Sequence, residues 1–125
     1  MYSIVTPDAP KAIGPYSQGI SAGGLIFVSG QLGIDPETGE LVAGGIEEQT
    51  HQVLRNISAI LSSASASLAG VVKTTVYLKD LKDFPAMNAV YAEFFDQNLP
   101  ARATVQVSAL PKGALVEIDC IAVMA

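Results

Sequence analysis

The amino-acid sequence predicts an α+β domain, with two helices packed on one face of a single mixed β-sheet. Three observations predict it. Two stretches carry apolar residues at helical spacing, several short segments alternate apolar and polar residues, and the elements run strands, helix, strand, helix, strands. A chain of 125 residues holds one adequate core, and no repeat or linker interrupts it, so residues 1–125 read as one domain.

Residues 14–30 read as two short strands around a Gly23-Gly24 turn. In the second, Leu25, Ile26, Phe27 and Val28 are apolar at consecutive positions, which predicts burial on both sides. Asp35-Pro36-Glu37-Thr38-Gly39-Glu40 is an exposed, turn-forming excursion. The first helix covers 46–64, because Ile46, Thr50, Val53, Leu54, Ile57, Ile60, Leu61 and Ala64 form one stripe while Glu47, Gln52, Arg55 and Ser62 face away. A strand at 72–79 puts Val72, Thr74, Val76 and Leu78 on one face. The second helix covers 85–95, with Pro85 in its first turn and Met87, Val90, Tyr91, Phe94 and Phe95 as its apolar stripe. Strands at 101–107 and 115–124, joined through Leu110-Pro111-Lys112-Gly113, close the chain.

The last strand has two different faces. Val116, Ile118, Cys120, Ala122 and Met124 point one way, and this apolar set belongs under the helices. Leu115, Glu117, Asp119, Ile121 and Val123 point the other way, onto an apolar-rich face with no helix left to cover it. Half of the residues are hydrophobic and only 15% are charged, and mean hydropathy is +0.39. An identical subunit is the simplest cover.

Composition excludes several functions. The longest apolar runs fall far short of the roughly 20 residues of a membrane span. Pro7, Asp8 and Pro10 break any leader-like N-terminus, which leaves a cytoplasmic location as the expectation. A net charge of −5 without a basic cluster argues against nucleic acid. Cys120 is the only cysteine and His51 the only histidine, so disulfides, cysteine metal clusters and Ser/His or Cys/His pairs find little to work with. His51 follows Glu47 by four residues and reads as a partly solvated helix-face side chain, and Cys120 as a small inert hydrophobe with a raised pKa.

Four spots could carry chemistry, and each also has a plain structural reading. Glu117 and Asp119 share a strand face, as a reactive carboxylate pair or as a solvated or inter-subunit ion pair. Arg102 opens a strand, where its guanidinium could grip a small carboxylic acid through two parallel hydrogen bonds or sit in a surface ion pair. Gly14-Pro15-Tyr16-Ser17 could line a pocket or make a turn with a packed tyrosine. Ser29-Gly30-Gln31 could admit a ligand to backbone N–H groups or be a strand-ending bend.

Ala12-Ile13-Gly14-Pro15-Tyr16-Ser17-Gln18-Gly19, Val28-Ser29-Gly30-Gln31, the run from Val72 to Leu81, and Leu99-Pro100-Ala101-Arg102-Ala103-Thr104-Val105 together resemble the Rid family, also called YjgF. Leu110-Pro111-Lys112-Gly113 followed by Val116-Glu117-Ile118-Asp119-Cys120-Ile121-Ala122 is similar to its C-terminal signature. The resemblance covers essentially the whole chain. It implies a chorismate-mutase-like fold, a homotrimer with three inter-subunit clefts, and hydrolytic deamination of 2-imino or enamine acids to 2-keto acids and ammonia. It further implies that Arg102 binds the substrate carboxylate, that Glu117 holds or activates water, and that Tyr16, Ser29, Gly30 and Asn88 line the pocket. Many relatives carry cysteine where this chain has Thr104, so a thiol mechanism is excluded there, while Thr104 still offers a hydroxyl and a backbone N–H.

Such chemistry calls for no metal or organic cofactor. An imine is already electrophilic, and its hydrolysis needs delivered water, a proton for nitrogen and collapse of a carbinolamine. Two rival readings remain: a non-catalytic 2-keto-acid-binding trimer, and an RNA-cleaving translation inhibitor that the acidic charge and the lone helix-face histidine disfavour.

Overall fold

The computed structural model describes residues 1–124. Its strands form one six-stranded sheet, built from β1 (Tyr2–Ile4), β2 (Gly19–Ala22), β3 (Leu25–Gln31), β4 (Val71–Leu78), β5 (Ala101–Gln106) and β6 (Val116–Val123) in the order β1-β2-β3-β6-β4-β5. Only β4 and β5 run parallel. Helix α1 (Ile46–Ser63) connects β3 to β4, α2 (Phe84–Phe94) makes the crossover from β4 to β5, and both pack on one face. This is the α+β, mixed-sheet architecture that the order of patterns predicts.

Gly23 and Gly24 have φ of 59° and 79°, the left-handed pair that a tight hairpin between β2 and β3 requires. Residues 14–18 precede β2 as irregular chain rather than strand. There the buried Gln18 side chain accepts from the Thr6 N–H (2.7 Å) and donates to the Thr6, Ala9 and Pro10 carbonyls, tying the N-terminal loop to the sheet. Strand β1 was not expected, because three residues are too few to show an alternation.

The core lies between sheet and helices. Val53, Leu54, Ile57, Ile60 and Leu61 of α1 meet Ile26, Val28, Val76, Leu78, Val116, Ile118, Cys120 and Ala122. Three parity expectations fail for local reasons. Val72 is 46% exposed while Val71 is 1% exposed, because a register irregularity between Val71 and Lys73 against β6 shifts the alternation. Met124 lies beyond the end of β6 and stays exposed. Phe27 is 42% exposed, because β3 is covered by helix on one side only; Ile26 and Val28 take that side.

Two polar α1 residues are buried against the apolar reading of the stripe. Asn56 donates to the Leu32 (3.1 Å) and Ile34 (2.9 Å) carbonyls, and Gln49 accepts from the Leu115 N–H (2.8 Å). Asn56 thereby fixes the loop after β3 to the helix, and Gln49 fixes the chain that enters β6. Replacing Asn56 by Ala leaves two partly buried carbonyls without their donor, so urea unfolding should show a loss of about 1–2 kcal/mol with an unchanged denaturant slope.

Candidate active site

Arg102 sits on the outer edge of the sheet, in parallel register with Thr74, which is wholly buried beneath the helices. Its guanidinium therefore emerges on the helix-covered face. Nη1 donates to Asn88 Oδ1 at 2.8 Å, and the guanidinium carbon lies 4.7 Å from the Tyr91 ring centre and 5.4 Å from that of Phe84. Phe84, Asn88 and Tyr91 follow at four- and three-residue spacing, so α2 presents them as one stripe. Burial pushes the Tyr91 hydroxyl above its ordinary pKa, and this hydroxyl shares a 2.8 Å hydrogen bond with Thr74 Oγ1. No carboxylate lies within ion-pair distance of Arg102 among the described residues. The arginine is backed by aromatic rings and bonded to one amide oxygen, so the ion-pair reading of this side chain finds no partner among the described residues.

Glu117 points the opposite way. It stands in register with Tyr77, between the inward-facing Val116 and Ile118, and so emerges on the bare face. There it lines a cleft of about 290 Å³ together with Ile13, Tyr16, Gly30, Lys11 and Lys112. Its carboxyl lies across Gly30, close enough that a Cβ at residue 30 would collide with Oε2. Burial first, and then the neighbouring Asp119 charge, raise the Glu117 pKa above the ordinary carboxyl value. Ser29 stands at the rim with its hydroxyl donating to the Ser17 carbonyl (2.5 Å) and its N–H to that of Gln18 (3.0 Å), which fixes the Tyr16 turn against β3.

The structure thus brings Tyr16, Gly30 and Glu117 together around one cleft, with Ser29 next in the chain to Gly30 but bonded to the 17–18 backbone rather than lining it, and separately Asn88 and Arg102, with Thr104 two residues along β5 on the same side as Arg102. One chain does not join the two groups, because they lie on opposite faces of the sheet. The sequence reading missed Gln18, Tyr77 and the ring platform under Arg102; of these, the Phe84, Asn88, Tyr91 spacing was there to be read. His51 is half-exposed on the outer side of α1, 3.5 Å from Glu93 and edge-on to Phe94, away from both groups.

These features define a small open-faced α+β sheet protein with a guanidinium free of carboxylate partners among the described residues on one side and a half-buried carboxyl of raised pKa on the other. The chain belongs to the Rid (YjgF) family: the family model described as Endoribonuclease L-PSP matches residues 6–124. It is 59% identical over 119 residues to a RutC family protein of Pyrococcus horikoshii, covering 95% of this chain and 94% of that one. It is 48% identical over 120 residues to the human 2-iminobutanoate/2-iminopropanoate deaminase, covering 96% and 88%. The crystal structure of E. coli TdcF with bound serine superposes with a TM-score of 0.95 at 42% identity over the full length of both chains.

Cys120 belongs to neither group. It is 2% exposed beneath the helices, and burial pushes its thiol up to about 12. Ellman's reagent at pH 8 should leave the native protein essentially unlabelled over an hour and label one thiol per chain at once in guanidinium chloride.

Proposed function

We propose that this protein hydrolyses 2-imino acids, with 2-iminobutanoate and 2-iminopropanoate as representative substrates, to 2-keto acids and ammonia, as a homotrimer whose clefts each combine two copies. The observation that carries the reading is the aromatic-backed Arg102 guanidinium without a counter-ion. It is a ready acceptor for a small carboxylate, on the face opposite the carboxyl that would handle water. The names of the human and plant relatives support the same chemistry. The bare face, carrying Phe27, Tyr77, Val105, Ile121 and Val123, is what neighbouring copies would cover, and in the proposed trimer the Arg102 edge of one copy would meet the Glu117 cleft of the next.

In such a cleft Arg102, steadied by Asn88, grips the substrate carboxylate through two hydrogen bonds and fixes the rotation of the planar imine. The substrate enters with its imine nitrogen protonated, and Glu117 takes a proton from water as the water oxygen adds to the iminium carbon, giving the neutral carbinolamine. Glu117 then returns its proton to the amine, the C–N bond breaks to release ammonia, and the hydroxyl proton passes to Glu117 as the ketone forms. That proton leaves with ammonia as ammonium and restores the Glu117 carboxylate, so overall one iminium and one water enter, and one keto acid and one ammonium leave. Tyr16, Ser29 and Gly30 wall the cleft, and Thr104 takes the place of a thiol, so no covalent step is needed. No helix among the described residues is long and apolar enough to cross a membrane, and the net charge of −5 does not suit the phosphate backbone that an endoribonuclease must hold.

The assay generates the imino acid in situ and follows its trapping by semicarbazide. The protein should accelerate loss of the imine, whereas a pure keto-acid binder leaves the spontaneous rate unchanged. Both Arg102→Ala and Arg102→Lys should lower kcat/KM at least ~100-fold, about 2.7 kcal/mol of transition-state stabilisation, because an ammonium fixes distance but not rotation. If Arg102→Ala keeps more than about a third of wild-type efficiency, the carboxylate-anchor role is wrong.

A shared cleft makes a prediction that a single-chain site does not. Sedimentation at micromolar concentration should report three chains. When Arg102→Ala and Glu117→Gln chains, each nearly inactive alone, are unfolded and refolded together in equal amounts, one cleft in each mixed trimer regains both residues. Activity should return to about a quarter of wild type. No recovery in verified mixed trimers would place both residues in one chain's site.

A further inference from the structure

Tyr77 and Asp119 have no part in the steps above, yet they adjoin Glu117. Glu117 and Asp119 leave the same face of β6 two residues apart, with Cα atoms roughly 6.5–7 Å from each other. Tyr77 on β4 stands in register with Glu117, and its hydroxyl reaches diagonally to donate to Asp119 Oδ2 at 3.1 Å. Its ring thus lies beside the gap between the two carboxyls. The geometry points to a positioning pair, in which Tyr77 tethers the Asp119 carboxylate beside Glu117 so that its charge keeps the proton on Glu117 to higher pH. This rests on the deaminase role of Glu117 and adds what tunes that residue for passing a proton both ways.

The surroundings leave this charge uncompensated. Lys73 on β4 donates to Thr75 Oγ1 at 3.1 Å, and Thr75 stands in register with Asp119. Lys11, Lys112 and Tyr16 line the Glu117 cleft. No cation comes within ion-pair distance of Glu117 or Asp119 among the described residues, and β3 brings the uncharged Gly30 and Gln31 to the Glu117 cleft. The Arg102 delivered by a second copy is matched by the substrate carboxylate. Burial first, and then the Asp119 charge, both disfavour the ionised form of the Glu117 carboxyl. Tyr77 feels the same negative field: burial, then the bond to Asp119, then the charges of both carboxyls raise its pKa, so it remains a donor. A carboxyl that holds its proton closer to neutrality is a better partner for a step that takes a proton from water and returns it to nitrogen.

The test titrates Glu117 directly, by carboxyl-carbon NMR of the assembled protein, alongside the pH profile of kcat/KM corrected for spontaneous hydrolysis. In Asp119→Asn the Glu117 midpoint should fall by at least about half a pH unit, and the acid limb of the rate profile should move with it, since activity is lost as pH drops through the Glu117 pKa. Tyr77→Phe should move the midpoint part of the way. The double variant should go no further than Asp119→Asn alone, and Asp119→Glu should restore the wild-type value. An unmoved midpoint in folded, assembled Asp119→Asn overturns the inference, even if stability falls. Should that variant not assemble, an unmoved midpoint in Tyr77→Phe does the same. A midpoint that moves while the rate limb stays put supports the pair and sinks the catalytic role of Glu117 instead.

Discussion

Strand alternation on a sheet covered by helix on one side only is the constraint from which the rest follows. Successive side chains leave a strand on opposite faces, so each position on β5 and β6 is committed to helix or to open face once one neighbour is committed. Thr74, buried beside Arg102, sends the arginine to the helix side, and Val116 and Ile118 send Glu117 to the other. No rotamer brings the two together across the sheet. Chemistry that uses both must be assembled between copies, and the apolar residues that make the open face costly in water also supply the reason for copies to meet.

The same constraint explains what could be read in the sequence. The Ile46–Ser63 helix and the β6 alternation were legible because 18 and 8 residues give a period room to repeat. Tyr2–Ile4 does not. The Val72 parity failed because a bulge adds a residue without leaving any trace in composition. Phe27 was read as doubly buried from a run of four apolar residues, but a run shows only that neither face is polar, and whether the second face is covered depends on a partner outside the chain. Gln18, Gln49 and Asn56 were invisible for another reason. A buried amide looks like a surface amide until the backbone groups that it satisfies, eight or more residues away, are known. The two halves of the candidate site were each legible as residue types, while their placement on opposite faces required the sheet order.

The two half-sites are prepared for opposite charges by opposite means. Arg102 keeps its cation without a carboxylate because ring faces and one amide oxygen can steady a guanidinium without neutralising it, which leaves its hydrogen-bonding capacity for an incoming anion. Glu117 receives no such help. Burial and a neighbouring carboxylate both work against its ionised form and raise its pKa above the ordinary carboxyl value. A neighbouring thiol would introduce a competing nucleophile; here Thr104 stands in its place, and the only cysteine is sealed in the core.

Two glycines, three residues apart, show how this loop divides its work. A Cβ at Gly33 would come within 2.9 Å of the Gln49 Cα and carbonyl oxygen, so any side chain there must displace the α1 backbone, and the position belongs to the fold. At Gly30 the obstacle is the far end of the Glu117 side chain, which can swing aside at little cost to the core. A side chain at residue 30 would leave the sheet intact and move only the carboxyl. The bare backbone at Gly30 therefore leaves room for the Glu117 carboxyl beside β3 rather than for the packing of the core.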